Sequence, residues 1–178
     1  MAWTTPRDWT GGEFVTEAMM DTHVRDNFLS MGPHLLARKT ADETVTSSQT
    51  PQNDNHLIVP VTGTDVWQLH WLVMYGAPTA EDIRIGFNFP AGGDLRGSVI
   101  GKNSSAILFQ FYNASSSPAG SNILDGEGAG TRVLVEICLI YANGGTGGNV
   151  NMEWAQGTSG GTGTIVYTNS TVWGVKLA

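Results

Sequence analysis

From about residue 41 onward, apolar side chains recur at every second position, which is the period of a β-strand that buries one face. Residues 66–75 read VWQLHWLVMY. The positions that share one face of this run are all large and apolar: Trp67, Leu69, Trp71, Val73 and Tyr75. Residues 82–89 alternate in the same way, and their inward positions would be Ile83, Ile85, Phe87 and Phe89.

Further strand-like runs follow, separated by turn clusters such as PAGGD, NASSSPAGSN and NGGTGG. These runs lie near LRGSVI, SAILFQFYN, RVLVEICLIYA, NVNMEWA, TIVYT and TVWGVKL. The total of roughly eight to ten short strands is typical of an antiparallel sandwich, and a jelly roll has about that number. The predicted fold class is mainly β: a jelly-roll-like antiparallel β-sandwich preceded by an extended N-terminal arm and one short α-helix.

Two of the predicted strands, 66–75 and 133–142, are apolar on both faces. A two-layer sandwich buries one face of each sheet, so the second face would meet water. We expect another subunit or the N-terminal segment to cover it. The pattern therefore favours a homo-oligomer, and we prefer a trimer by analogy with the jelly-roll proteins of virions.

The N-terminal segment has a different pattern. Thr16 is a suitable helix N-cap, and Met20, Val24 and Phe28 follow at i, i+4 and i+8 as one narrow apolar stripe. A short helix with a single stripe is marginally stable alone, so it must dock on something. We assign residues 1–39 to an arm and short helix that serve anchoring or oligomerisation, and residues 40–178 to the β-sandwich domain.

Composition narrows the range of partners. Only 14% of the 178 residues are charged, and the formal net charge is −7. Because nucleic-acid binding depends on clustered Lys and Arg, we expect no nucleic-acid partner. No apolar run has the length of a membrane span, and no signal peptide is apparent, so we expect no membrane partner. The single cysteine, Cys138, lies in an apolar run and is interpreted as a small buried hydrophobe, compatible with folding in a reducing cytoplasm.

No motif points to catalysis, a metal or a cofactor. The histidines lack a metal-ligand spacing, and His70, in mid-strand beside tryptophans, is interpreted as a packing or interface residue. QNDNH (52–56) offers oxygen ligands but lacks the length of a calcium loop. The run GTSGGTGT lacks the Lys-Ser/Thr of a phosphate-binding loop. A glycan-degrading enzyme needs two converging carboxylates, and no such pair is suggested. We therefore expect a protein that is not an enzyme, with no cofactor and no metal.

Trp67, Trp71 and Trp154 admit two interpretations. On an exposed face they would form a surface on which a sugar ring stacks, whereas on an inward face they would belong to the core. Both interpretations stay open at this point.

Two stretches carry a family resemblance. Residues 3–28 read WTTPRDWTGGEFVTEAMMDTHVRDNF, and residues 153–177 read EWAQGTSGGTGTIVYTNSTVWGVKL. The first stretch resembles the N-terminal signature of a family of tailed-bacteriophage virion structural proteins, in which a Trp/Pro arm and a short V-T…H-V-R-D-N helix precede an all-β domain. The second is similar to the closing strands of that family.

The resemblance implies a non-enzymatic component of the virion, made in the cytoplasm of a bacterial host. The preferred hypothesis is a head-stabilising capsid decoration protein, bound as an oligomer to the major capsid protein on the outer surface of the particle through its arm. The alternative is a minor tail or baseplate protein whose β-domain binds a receptor or glycan, with Trp67 and Trp71 as the surface aromatics. The residues assigned to the arm interface are Trp3, Pro6, Arg7, Trp9, Phe14, Val15, Met20, Val24, Arg25 and Phe28.

Overall fold

A computed structural model describes residues 4–5, 7–30, 34–103, 106–114 and 119–178 of the chain. The chain divides into two compact units, Met1–His34 and Leu35–Ala178. This division falls a few residues before the predicted boundary after residue 39. The reason is that His34–Arg38 already forms a strand that pairs with a strand of the second unit.

The first unit contains a helical run of three segments: α1 (Glu17–Met20), a π-helical turn (Asp21–Arg25) and α2 (Asp26–Ser30). The predicted N-cap is confirmed, since the side chain of Thr16 accepts a hydrogen bond of 3.3 Å from the Met19 backbone N–H. None of the described helices is long and apolar enough to cross a membrane.

The second unit is built from antiparallel strands. In chain order, the described strands are β1 (His34–Arg38), β2 (Glu43–Val45), β3 (Gln52–Val61), β4 (Val66–Gly76), β5 (Ile83–Asn88), β6 (Asp94–Asn103), β7 (Ala106–Ala114), β8 (Ala119–Leu124), β9 (Val133–Ala142), β10 (Gly148–Gln156), β11 (Thr164–Val166) and β12 (Thr171–Lys176). The described strands number twelve, against a prediction of roughly eight to ten, and the short β1 and β2 were not among the predicted runs.

Strands β3 to β10 are paired as one long nested hairpin. β6 pairs with β7, β5 with β8, β4 with β9 and β3 with β10, so each pair encloses the one before it. The hairpin is rolled so that β10 also pairs with β5, and β9 also pairs with β6. The resulting sheet orders, β3-β10-β5-β8 and β4-β9-β6-β7, are those of a jelly roll. The predicted fold class is therefore confirmed.

The remaining strands extend the sheet that contains β4. β12 pairs along β4 and is flanked by β1, while the short β11 pairs with the end of β4 and with β2. We call this extended sheet the larger sheet, and β3-β10-β5-β8 the smaller sheet. The face of each sheet that points away from the other sheet is its outer face.

The core lies between the two sheets. The inward faces predicted for residues 66–75 and 82–89 are confirmed, because every side chain assigned to them is buried. The ring of Trp71 in β4 meets the ring of Phe87 in β5 edge-on, with centroids 4.9 Å apart, and so joins the two sheets. Trp154 of β10 is also fully buried.

Replacement of Trp71 tests this assignment of faces. Trp71→Ala should lower the free energy of unfolding by about 3–5 kcal/mol, because it leaves a large cavity in the core. Trp173, on the neighbouring β12, is 41% exposed, so Trp173→Ala should cost only about 1 kcal/mol. Urea denaturation of both variants gives the comparison, and equal losses would contradict the assignment of inner and outer faces.

Candidate functional site

The N-terminal segment, residues 4–30, exposes its apolar side chains. Phe14 is 91% exposed and Phe28 is 71% exposed. The other exposed apolar residues among those assigned to the interface are Trp9, Val15, Met20 and Val24. Trp3 and Pro6 were assigned to the same interface but lie outside the described residues. Among the described side chains of residues 4–28, no apolar one is buried, so this part of the chain forms no core of its own.

A side-chain clasp holds the arm against the helix. Asn27 is the one buried residue among the described side chains of residues 4–28. Its Oδ1 accepts a hydrogen bond of 2.8 Å from the Thr4 backbone N–H, and its Nδ2 donates to the Thr4 carbonyl at 2.9 Å. Nδ2 also donates to the His23 carbonyl at 3.2 Å. Since Asn27 satisfies both backbone groups of Thr4, the arm has a defined position on the helix before any partner binds.

The two arginines assigned to the interface are already paired within the segment. Arg7 forms an ion pair with Glu13, and its guanidinium lies 5.7 Å from the ring centroid of Trp9. Arg25 forms ion pairs of 2.8 Å with Asp21 and 2.9 Å with Asp26. They therefore contribute to the internal structure of the segment.

For Trp67 and Trp71, the interpretation as surface aromatics is wrong. Trp67 is 6% exposed and Trp71 is 0% exposed, because both occupy inward positions of β4. The indole N–H of Trp67 donates to the Asp65 carboxylate at 3.4 Å. Neither ring offers a face to a sugar, so the core interpretation holds for both.

The outer face of the larger sheet is also partly apolar. On strands β4, β9 and β12, the exposed large apolar side chains of this face are Leu72, Leu134, Ile140 and Trp173. They come from β4, β9 and β12, where the sequence showed apolar residues on both faces. The second apolar face expected from the pattern is therefore present, and its coverage by another subunit or by the N-terminal segment stays a prediction.

A row of polar side chains crosses this outer face. The strand register places Trp173 of β12 opposite His70 of β4, and His70 opposite Cys138 of β9. The rings of Trp173 and His70 are stacked at 4.3 Å, and His70 Nδ1 lies 3.1 Å from Cys138 Sγ. The Glu136 Oε1 lies 3.7 Å from the same sulfur. An imidazole, a thiol and a carboxylate thus lie close together on this face.

The interpretation of Cys138 as a buried hydrophobe is wrong. The inward positions of β9 are Val135, Ile137, Leu139 and Tyr141, so Cys138 projects from the outer face and is only half-buried. Partial burial raises the pKa of the Cys138 thiol, and the neighbouring Glu136 carboxylate raises this pKa further. The thiol therefore stays protonated to a higher pH than an ordinary cysteine.

Sequence reasoning missed the His70–Glu136–Cys138 group because its members are far apart in the chain. His70 and Cys138 are separated by 68 positions and meet only through the β4–β9 register. One local signal existed: Glu136 and Cys138 are two residues apart, so they share a strand face within an otherwise apolar run.

A second polar group is buried where β1, β2 and β3 meet. Lys39 is 0% exposed, and its Nζ donates to Asp54 Oδ2 at 2.6 Å and to the Glu43 carboxylate. His56 lies within reach of the same carboxylates. Because an ammonium already neutralises these oxygens, the group is a lysine-centred ion cluster and a poor site for a metal cation.

Removal of the central ammonium tests this view. Lys39→Met should lower the free energy of unfolding by about 3–5 kcal/mol, because it leaves the carboxylate of fully buried Asp54 without its counter-charge. The matched control is Lys102→Met, since Lys102 forms an exposed ion pair with Glu127, and its loss should cost less than about 1 kcal/mol. Chemical denaturation measures both, and a minor loss in Lys39→Met would show that the cluster contributes little.

Comparison with known proteins adds no family. No family model matches the chain, and a search of curated proteins finds no match. Among solved structures, a structure of infectious bursal disease virus Gt strain aligns with a TM-score of 0.20 and 5% identity, over 81% of this chain and 35% of that chain. The VP2 subviral particle of the same virus aligns with a TM-score of 0.22 and 8% identity, over 81% of this chain and 40% of that one. The chain thus spans less than half the length of these proteins. A TM-score this low supports no conclusion about fold or function.

Proposed function

We propose that this chain is a non-enzymatic structural protein of a tailed-bacteriophage particle, and specifically a capsid decoration protein that stabilises the head. The observation that carries the proposal is the N-terminal segment. It holds a defined shape through Asn27 and leaves Phe14 and Phe28 exposed to solvent. Aromatic side chains of this kind are the usual energetic anchors of protein interfaces.

The form of the segment fits an anchor better than a flexible tether. A segment that is ordered before binding loses less conformational entropy when it docks. The clasp between Asn27 and Thr4 supplies that order, while the apolar groups remain available. The major capsid protein would be the partner, and binding only to the assembled shell would stabilise that shell by mass action.

The β-domain supports the same proposal. The jelly roll is a common architecture of viral capsid proteins, although lectin domains share it. The exposed apolar side chains on the outer face of the larger sheet, Leu134 and Trp173 among them, provide a surface for self-association. A homo-oligomer, with a trimer preferred, would cover that face and leave the N-terminal segments free to bind the head. The resemblance of residues 3–29 to phage virion proteins points in the same direction.

The candidate residues of the tail or baseplate alternative are not on the surface. It required Trp67 or Trp71 on the surface of a glycan-binding β-domain, and both side chains are buried. Quantitative mass spectrometry of purified particles still separates the two locations. A copy number comparable with that of the major capsid protein supports the head, whereas a handful of copies per particle would indicate the tail.

The anchor is tested by a double variant, Phe14→Ser with Phe28→Ser. Because both side chains are exposed in the free chain, their replacement should leave the melting temperature unchanged. Loss of two aromatic anchors should weaken binding to particles that lack the protein by at least about tenfold, roughly 1.4 kcal/mol. Co-sedimentation of the purified chain with such particles gives the affinity.

A matched control is Leu177→Ser, which removes an exposed apolar side chain from the β-domain outside the proposed self-association surface. If the N-terminal segment is the anchor, this variant should bind particles with the affinity of the wild-type chain. Wild-type binding by the Phe14/Phe28 double variant would refute the anchor assignment.

A further inference from the structure

We propose that His70, Glu136 and Cys138 form a binding site for a divalent transition-metal ion, with Zn²⁺ as the natural occupant. One imidazole nitrogen, one carboxylate oxygen and one thiol sulfur all lie within 4.8 Å of one another on the outer face of the larger sheet. The inference is independent of the proposed virion role, because it rests on this group alone.

The ligand types select the metal. Zn²⁺ is bound in proteins by cysteine sulfur, histidine nitrogen and carboxylate oxygen, usually in four-coordinate sites. Mg²⁺ and Ca²⁺ prefer oxygen ligands throughout and are poorly matched to a thiolate and an imidazole. A set of three protein ligands leaves a further coordination position for water or for an external group.

The surroundings of the group provide space and support. His70 and Cys138 line an open depression of about 200 Å³, together with Gln68 and Arg96. The Gln68 side chain lies 3.4 Å from the second nitrogen of His70, Nε2. After rotation of its amide, Gln68 can accept a hydrogen bond from Nε2–H while Nδ1 faces the metal, which is the usual outer support of a metal-bound histidine. The stacked ring of Trp173 restricts rotation of the imidazole.

A bound dication reverses the electrostatic preference of the site, from the protonated Cys138 thiol to the thiolate. Without a metal, burial and the Glu136 carboxylate raise the pKa of the Cys138 thiol, since they oppose a second negative charge. A bound dication is attracted by the same carboxylate and stabilises the thiolate. Binding therefore releases the thiol proton: the S–H bond breaks, a metal–sulfur bond forms, and H⁺ passes to solvent.

Affinity should increase with pH, because the proton competes with the metal at the Cys138 thiol. Among the described residues, the titratable and charged groups that face the site are His70 from β4, Glu136 and Cys138 from β9, and Arg96 from β6, which forms an ion pair with Asp94. From β12 the site is faced by the neutral ring of Trp173.

Cobalt titration of the purified, metal-free full-length chain under reducing conditions tests the site. Since Cys138 is the single cysteine of the chain, a thiolate-to-cobalt charge-transfer band can arise only from this residue. We expect one Co²⁺ per chain, displacement of the band by Zn²⁺ and no displacement by Mg²⁺. Zn²⁺ should also raise the melting temperature of the wild-type chain.

Variants separate the three-ligand site from simple adduct formation at a thiol. Cys138→Ser should abolish the band and the thermal shift, and it is a near-isosteric change at a half-buried position. His70→Gln and Glu136→Gln should each weaken cobalt binding by about tenfold or more. Glu127→Gln, which removes a carboxylate paired with Lys102 elsewhere on the chain, should leave it unchanged. Absence of the band in the wild type, or a band of equal affinity in His70→Gln and Glu136→Gln, would overturn the proposal.

Discussion

The register between β4 and β9 is the constraint on which the rest of the β-domain depends. The two strands pair without interruption from Val66 opposite Ala142 to Tyr75 opposite Val133. This pairing puts Trp71 beside Ile137 in the core and His70 beside Cys138 on the outer face. Because side chains alternate along a strand, a slip of one residue would exchange the two sets and expose the core. The burial of the inward set therefore also determines which polar groups meet outside.

Strand alternation made the inner faces predictable. Ile83, Ile85 and Phe87 could be assigned to the core from their spacing alone, and the structure buries each of them. The fate of Trp67 and Trp71 was open in the sequence, because an alternating face shows which side chains share an environment and does not show whether that environment is core or solvent. Sheet packing decided it, through the contact of Trp71 with Phe87 on the opposite sheet.

Cys138 shows why a polar or reactive side chain on an outer face is hard to recognise within an apolar run. In β9 both faces are rich in apolar residues, so the hydrophobic run indicated burial throughout. The alternation of Val135, Ile137 and Leu139 already assigned Cys138 to the other face, with Glu136 as its neighbour. The encounter with His70 could not be read locally, since it follows from a pairing of distant strands. Local patterns thus predicted faces, whereas the candidate metal site required the topology.

The N-terminal segment and the outer face of the larger sheet are two separate sets of exposed apolar side chains, carried by different units of the chain. In the proposed decoration role, one of these sets would serve self-association and the other would bind the shell. The Asn27 clasp fixes one surface through backbone hydrogen bonds, and the β4–β9 register fixes the other through strand pairing. Because these two constraints share no residue, a substitution within one set of exposed side chains need not alter the hydrogen bonds that hold the other set in place.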